Sequence, residues 1–471
     1  MNLARSSLKI FFARTAGAVI GLLGLTFFAR ELSSYQMGIF FLFQALLGMI
    51  GIPANFGIGG GVTKRISEGK SADRIFTTAI ILKLVPLTLI IAAILLLRGL
   101  INTYLGAELA WLLAVTIVLQ SFARLAMQVL RGELRVGEVA LPSLSRQIVY
   151  VGIGAILVEL GWNSLALVYG LLAGMVVMLL WGLYRGSVSI ARPSLAIARS
   201  LFNYSKYAFI SSVGGYFYSW MDVAVIGFFL TQSYVGVYEV AWRVTAVVML
   251  LSKSIAGTIF PQVSQWNAEE ASGRIEELLP KAIASSLFLV IPAFFGTLLL
   301  SSDILGLVFG SEYAAGGLVL IILMGEKLLQ AVHVILGRSL QAIDKPGLAA
   351  RAGVIAMILN GILNIVLVWQ YGIVGAAVAT TVSFIINSLL HVRYLSQFVS
   401  IYFPYRHIAG SIVASIGMTV VILVVQSIIV VNSLPRLLIV VALGTAVYGM
   451  SVLVFRPLRT LVLDTTRQLV P

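Results

Sequence analysis

The sequence predicts an all-α polytopic membrane protein with about fourteen transmembrane helices, and three observations lead to this fold class. Of the 471 residues, 60% are hydrophobic and 11% are charged, whereas roughly a quarter of a soluble domain is charged. The chain contains fourteen apolar runs that we interpret as bilayer crossings. Its basic residues also collect in alternate connections between these runs.

The fourteen apolar runs account for more than half of the chain, because one crossing needs about 20 residues. The connections are short, and the longest has about 22 residues. Little of the sequence therefore remains for a soluble domain. The predicted helices are 10–29, 38–58, 75–97, 109–130, 147–158, 165–184, 207–230, 236–262, 282–300, 315–337, 352–368, 375–391, 408–431 and 437–455.

The distribution of Lys and Arg follows the positive-inside rule. The two tails and the six connections on one side hold 23 of these residues, and the seven intervening connections hold only Arg30, Arg98 and Arg436. We therefore expect a multi-pass protein of the cytoplasmic membrane with both termini in the cytoplasm and a first helix that is retained. Topology and contact with anionic membrane lipids explain the net charge of +14 without a nucleic-acid partner.

The sequence also repeats itself weakly. The segment 32–40 resembles 230–238 at an offset of 198 residues, and 105–108 resembles 309–312. A repeat of six helices keeps its orientation in the membrane, so two parallel lobes are expected around a central cleft. The predicted domains are an N-terminal lobe (1–206), a C-terminal lobe (207–400) and an appendix of two helices (401–471).

Ionisable residues inside predicted helices are the candidate functional residues, because a charge at membrane depth usually faces a bundle interior or a wet cavity. The bases outnumber the acids by six to three, and such an excess attracts phosphate or pyrophosphate. The bases are Arg14, Lys83, Arg124, Arg243, Lys253 and Lys327, and the acids are Asp222, Glu239 and Glu326.

Five of these bases are predicted to contact an anionic substrate. Lys327 is the first candidate because it lies near the middle of its helix, where the side chain cannot extend to the interface. Arg14 lies close enough to a helix end to extend there instead. The five predicted substrate-binding residues are Lys327, Arg243, Arg124, Lys83 and Arg14.

The three acids are predicted to serve in gating or ion coupling. Asp222 and Arg243 lie at the same depth on consecutive helices, so we expect a pair that is either a structural pin or a titratable gate. Glu239, one turn from Arg243, is a second partner for that arginine. Glu326 and Lys327 are adjacent and point about 100° apart, so we do not expect them to neutralise each other. The alternative is a local bond of Lys327 to Glu326 or Glu239.

Several function classes lack the motifs that they require. The segment Glu68-Gly-Lys-Ser71 resembles the end of a nucleotide-binding loop, but Lys64 stands where that motif needs glycine. Three separated histidines and no cysteine predict neither a metal site nor a cofactor. The outer connections are too short for a catalytic domain. A polar stretch beginning Asn267-Ala-Glu-Glu270 is expected to open a short cytoplasmic helix, because acids favour a helix start.

Five segments then carry a resemblance to a known family. They are Trp220–Leu230, Val235–Arg243, Phe260–Ser264, Leu307–Tyr313 and Asn364–Thr380. Together they resemble the polysaccharide exporters, the O-antigen (Wzx-type) flippases of the multidrug/oligosaccharidyl-lipid/polysaccharide superfamily.

The resemblance implies two six-helix lobes in a V shape that alternate between inward-open and outward-open states. It implies flipping of a polyprenyl- or dolichyl-(pyro)phosphate-linked saccharide, with the headgroup in a cationic cleft and the lipid tail outside. H⁺ and Na⁺ are the candidate coupling ions. Two other functions stay open: a multidrug/cation antiporter of the same superfamily, in which acids should exceed bases, and a membrane-embedded glycosyl transferase or ligase.

Overall fold

The computed structural model describes the backbone of residues 3–455 and 458–460, and within that range the side chains of all residues except 3–11, 207–208 and 210–218. Much of the predicted cytoplasmic tail 456–471 lies outside the described residues. All regular secondary structure of the described residues is helical. Its helices are α1 (Leu3–Glu31), α2 (Ser34–Asn55), α3 (Ile58–Ser67), α4 (Ala72–Leu96), α5 (Arg98–Leu105), α6 (Ala110–Gly132), α7 (Ala140–Glu159), α8 (Asn163–Arg185), α9 (Leu195–Phe229), α10 (Gln232–Ala268), α11 (Ser272–Leu287), α12 (Val290–Phe309), α13 (Gly317–Ala342), α14 (Pro346–Leu395), α15 (Tyr405–Ile428) and α16 (Leu434–Val454), with 3₁₀ turns at Val136–Val139 and Ser311–Gly316.

The helices confirm the predicted fold class. Twelve helical stretches among the described residues are long and apolar enough to cross a membrane. One of them, α14, is 50 residues long and contains Gly372, whose φ of 60° and ψ of −141° divide it into two crossings. The 35 residues of α9 add another. Thirteen of the fourteen predicted crossings therefore correspond to one helix or to one half of α14, and the crossing predicted at 282–300 covers the end of α11 and the start of α12.

Several predicted boundaries differ from the structure, and the largest difference is at α9, which begins at Leu195, twelve residues before the predicted 207. Two other differences have a clear local cause. The crossing predicted at 147–158 begins seven residues earlier, at Ala140, because Pro142 is tolerated in the first turn of a helix. The short helix predicted to open at Asn267 is wrong, since α10 continues to Ala268. Glu270 has a φ of 55°, and the amide of Ala271 donates to the carbonyl of Trp266 at 2.8 Å. This is a Schellman motif, so these acids end a helix instead of beginning one.

The chain divides into two compact units, a first unit (Met1–Gly236) and a second unit (Val237–Pro471). In the first unit α7 packs against α8 and α1, and α9 packs against α2, α3 and α4. In the second unit α13 packs against α14 and α12, while α15 and α16 pack together and against α12. The hydroxyl of Tyr448 on α16 donates to the carbonyl of Phe288 at 2.9 Å. The predicted boundaries of the lobes and appendix stay predictions.

Two glycines of the predicted repeat meet in the first unit. A Cβ added at Gly38 would overlap the backbone carbonyl of Gln232, and a Cβ added at Gly236 would overlap that of Ser34. The two contacts are related by the repeat offset, because 34 corresponds to 232 and 38 to 236. The starts of α2 and α10 therefore approach each other through the same surface of each repeat, as small residues permit in membrane helices.

Candidate functional site

A buried lysine joins three helices of the first unit. Lys83 on α4 is only 1% exposed. Its Nζ donates to Asn55 Oδ1 on α2 at 2.7 Å, and to the hydroxyl and carbonyl oxygens of Ser121 on α6 at 2.9 and 3.1 Å. An ammonium group has three hydrogens, so all of its donors are used by neutral partners.

The partners of Lys83 are also bonded to each other. Ser121 Oγ donates to Asn55 Oδ1 at 3.0 Å, and Asn55 Nδ2 donates to the carbonyl of Gly51 at 2.7 Å. Both side chains therefore keep a hydrogen bond if the ammonium is removed. Burying a charge without an opposite charge costs free energy of folding, so packing alone does not favour a lysine at this position.

We therefore predict that Lys83→Met leaves the melting temperature of the purified protein unchanged or raises it. Asn55→Leu should lower it, because the buried ammonium then loses an acceptor, at a cost of about 1–3 kcal/mol. Thermal unfolding in one detergent, followed for both variants beside the unmodified protein, measures the difference. An equal loss of stability in the two variants contradicts the prediction.

Two arginines extend this positive charge. Arg124 on α6 is half-buried, and it is close enough for its positive charge to act on both Lys83 and Arg146. Arg146 lies within α7, about 9 Å from its first residue at 1.5 Å per residue. The sequence analysis placed it in a connection because the predicted helix began one residue later; Pro142 as a first-turn residue was the signal for an earlier start. Among the described residues none of these three bases forms a salt bridge.

Arg14, also predicted to bind substrate, lies elsewhere in the first unit. Its side chain is exposed, and its electrostatic neighbour is Arg131 in the last turn of α6. The structure therefore brings Lys83, Arg124 and Arg146 together, whereas Arg14 lies beside Arg131. The expectation that Arg14 is close to a helix end is wrong, because α1 begins at Leu3 and not at 10.

In the second unit the leading candidate is already paired. Lys327 is 3% exposed and Glu326 is completely buried, and the ammonium of Lys327 binds the carboxylate of Glu326. The expectation that these neighbours would not neutralise each other is wrong, because the long lysine side chain bends back to the nearest carboxylate where water is excluded. The ammonium also lies 5.6 Å from the centroid of the Trp242 ring. Exposed Lys253 is the electrostatic neighbour of the pair.

Arg243 has a partner one turn away on α10. Its Nε donates to Glu239 Oε1 at 2.9 Å, in agreement with the second partner considered from the sequence. Glu239 is 4% exposed, and Asp222 on α9 is 9% exposed. The pairing of Asp222 with Arg243 stays a prediction.

Basic residues in the connections are held by nearby acids. Arg135, between α6 and α7, donates to Glu138 at 2.8–2.9 Å and to Glu133 at 3.0 Å, and these bonds raise the pKa of its guanidinium. The hydrogen bond from Arg65 lowers the pKa of exposed Glu68. These arginines have structural partners, unlike the cluster in the first unit.

The two units thus differ in the charge that they offer to a ligand. The three bases of the first unit have neutral or basic neighbours, whereas in the second unit two acids offset two of the three bases. An anion is attracted most strongly where positive charge is not neutralised and water is largely excluded. The guanidinium groups of Arg124 and Arg146 are suited to bidentate contacts with phosphate oxygens.

Comparisons with known proteins show the family and the fold of this chain. A family described as polysaccharide biosynthesis protein matches residues 27–316. The chain is 55% identical over 471 residues, all of both chains, to the probable low-salt glycan biosynthesis flippase Agl15 of Haloferax volcanii. It is 30% identical over 453 residues, 95% of each chain, to the probable flippase AglR of the same organism. A solved structure of the lipid II flippase MurJ in an inward closed conformation has a TM-score of 0.78 at 18% identity, over 96% of this chain and 98% of that chain, and this likeness concerns the fold.

Proposed function

The chain belongs to the family of polysaccharide biosynthesis proteins, and from this premise we propose that it is a flippase that moves a lipid-linked saccharide across the membrane. The observation that carries the proposal is the 55% identity to a probable glycan biosynthesis flippase over the whole of both chains. The protein is accordingly a transporter and not an enzyme. The relatives have names of glycan flippases, so the proposed substrate class is the lipid-linked glycan in general and not O-antigen in particular.

The part of the substrate that all such glycans share is the phosphate or pyrophosphate of the carrier lipid, polyprenyl or dolichyl. We propose that Arg124 and Arg146 bind this group, with the buried amine of Lys83 beside Arg124. Support comes from the burial of Lys83 and from the lack of a salt bridge on all three bases among the described residues. Arg14, Arg243 and Lys327 are secondary contacts in this proposal, since the last two already bind carboxylates.

The direction of transport needs a source of free energy, and we propose an ion gradient of H⁺ or Na⁺ with alternating access. Asp222, Glu239 and Glu326 are buried acids that such an ion could reach during gating. Membrane lipids surround the protein, which we place in the cytoplasmic membrane.

The proposed orientation, with both termini in the cytoplasm, predicts which added cysteines react from outside. The chain has no cysteine, so single cysteines at exposed Glu108 and Asn432 should react with an impermeant maleimide on intact cells. Cysteines at exposed Ser71 and Ser272 should react only after the membrane is opened. Reaction of all four from the same side contradicts the orientation.

Reconstitution tests the flippase proposal directly. Vesicles are prepared with a fluorescent dolichyl-phosphate-linked saccharide in both leaflets, and an impermeant reductant bleaches the headgroups that it can reach. Protein-containing vesicles should lose almost all fluorescence, and empty vesicles about half. The same vesicles loaded with ethidium test the antiporter alternative. Bleaching equal to that of empty vesicles, with ethidium transport, would replace the flippase by the antiporter.

A further inference from the structure

Two of the three histidines of the chain are in contact inside the second unit. The rings of His333 on α13 and His391 on α14 have centroids 4.3 Å apart at 77°. Gly337, one turn after His333, lies against the same ring, since a Cβ there would be 3.4 Å from His391 Nε2. The ring of Phe384 lies 5.8 Å from that of His333. The sequence analysis found separate histidines because these two are 58 positions apart along the chain.

Hydrogen bonding fixes the tautomer of one ring. His391 Nδ1 lies 2.9 Å from the carbonyl oxygen of Asn387, and a carbonyl only accepts, so Nδ1 carries a hydrogen. In the neutral ring Nε2 is therefore an acceptor. It is the nitrogen nearest to Gly337 on α13. One acceptor of the cluster is thus aimed at the helix that carries the other histidine.

The cluster also contains buried polar atoms that lack a hydrogen-bond partner among the described residues. They are His333 Nδ1, Asn387 Oδ1 and Ser388 Oγ. Asn387 and Ser388 lie on the same face of α14 as Phe384 and His391, because residues three, four and seven apart share a face. Such atoms usually have a partner in a folded protein. The Ser388 hydroxyl and the Asn387 amide supply hydrogens of their own, and protonation of His333 makes both of its ring nitrogens donors.

Resting on the proposed flippase function, we propose that the His333–His391 pair is the site that takes up and releases one proton in each transport cycle. Two imidazolium ions in contact repel each other, so the pair holds one added proton and titrates as a unit. The proton comes from water and returns to it, and no bond other than N–H forms or breaks. A metal ion fits less well, because the described residues contain no group of three His, Cys, Asp or Glu side chains.

The elements that pack around the pair carry ionisable groups of both signs. Its helices are α13 and α14, and α11, α12 and the turn Ser311–Gly316 pack against α13. The charge of His391 acts on His333, and the backbone carbonyl of Asn387 accepts a hydrogen bond from His391. Within the described residues no carboxylate holds a permanent positive charge on the rings. Besides the two histidines, the ionisable groups of these elements are Arg274, Glu276, Glu277, Lys281, Asp303, Glu312, Tyr313, Glu326, Lys327, Arg338, Arg351, Tyr371, Arg393 and Tyr394.

The position of the pair connects protonation with conformation. His333 lies about 14 Å along the helix from the end of α13 at Ala342, by the rise of 1.5 Å per residue. A proton can enter and leave at this depth only when the packing around the rings admits water. Uptake and release in a cycle therefore require two conformations that differ in the access of water to the pair.

The test uses reconstituted full-length protein with an imposed pH gradient and the fluorescent dolichyl-phosphate-linked saccharide. Coupling to one proton shifts the steady-state ratio of headgroups in the two leaflets about tenfold per pH unit, since one pH unit is tenfold in proton activity. His333→Gln and His391→Gln should abolish this shift. Neither variant should change the exchange of headgroups that is measured without a pH gradient. The matched control is His407→Gln, the third histidine of the chain, which should keep the shift.

Each outcome decides the proposal. If the unmodified protein exchanges headgroups but shows no shift with pH, the proton site is wrong and the flippase function stands. If both glutamine variants keep the shift, another group binds the proton. For a variant that fails to fold, the imidazole NMR signals of the unmodified protein are followed between pH 5 and 8, with His407→Gln identifying the signals of the pair. Titration of the pair's signals supports the proposal, and its absence overturns it.

Discussion

Arg124→Gln is expected to slow flipping of the dolichyl-phosphate-linked saccharide by about tenfold to a hundredfold. A hydrogen bond to a charged group contributes about 1.5–3 kcal/mol, and 1.4 kcal/mol is a factor of ten. Glutamine keeps two N–H donors but removes the charge that faces the phosphate. Arg124→Lys should retain part of the rate, because it keeps the charge and loses the planar fork. The measurement is the initial rate of headgroup bleaching in reconstituted vesicles.

Arg98→Gln is the matched control for this prediction. Arg98 is exposed at the start of α5 and belongs to the other side of the membrane by the charge distribution. Its loss should leave the rate unchanged, and both variants should melt at the temperature of the unmodified protein. A normal rate for Arg124→Gln would remove the first-unit cluster from the proposed phosphate site, and the paired Lys327 would then be tested in the same assay.

Gly38→Ala and Gly236→Ala are each expected to lower stability by about 1–3 kcal/mol, the usual cost of overpacking. The new methyl group meets backbone and not a side chain in both cases, so a change of rotamer cannot relieve the overlap. Each substitution separates the same two helix starts. The double variant should therefore cost less than the sum of the single variants, as expected for residues that share one contact. Thermal unfolding of the four proteins measures this coupling.

Gly257→Ala, on the same helix as Gly236, separates the effect of the contact from that of helix propensity. A Cβ at Gly257 has no atom within 4 Å, and alanine is favoured over glycine inside a helix by roughly 1 kcal/mol. This variant should be as stable as the unmodified protein or more stable. Equal losses in Gly257→Ala and Gly38→Ala would show that the reciprocal contact contributes nothing.

The fold was predictable because the length of apolar runs and the distribution of charge can be taken directly from the order of residues. The length of the apolar runs predicts the crossings, and the alternation of Lys and Arg between connections predicts their orientation. Neither prediction requires knowledge of how the helices pack. Helix ends were less predictable, since they depend on a few local bonds. The difference at α7 is an example: a start at Ala140 instead of 147 moves Arg146 from a connection into a helix.

The partners of the charged residues could not be predicted in the same way. Lys83 binds Asn55 and Ser121, which lie 28 and 38 residues away along the chain and have no charge to mark them. Glu326 and Lys327 were judged from the directions of their Cα–Cβ bonds, yet four methylene groups let the ammonium return to its neighbour. Side-chain length and exclusion of water decided both arrangements, and neither is visible in the order of residues.

The reciprocal contact between Gly38 and Gly236 also restricts how the two halves of such a chain can diverge after a duplication. Most positions in one copy can change without reference to the other copy. At this contact the two copies are each other's environment, because each glycine faces the backbone of the other repeat. A larger residue in one copy cannot be compensated by a smaller one in its counterpart, which is already the smallest. A larger residue is therefore disfavoured at both positions, and neither copy can change there independently of the other.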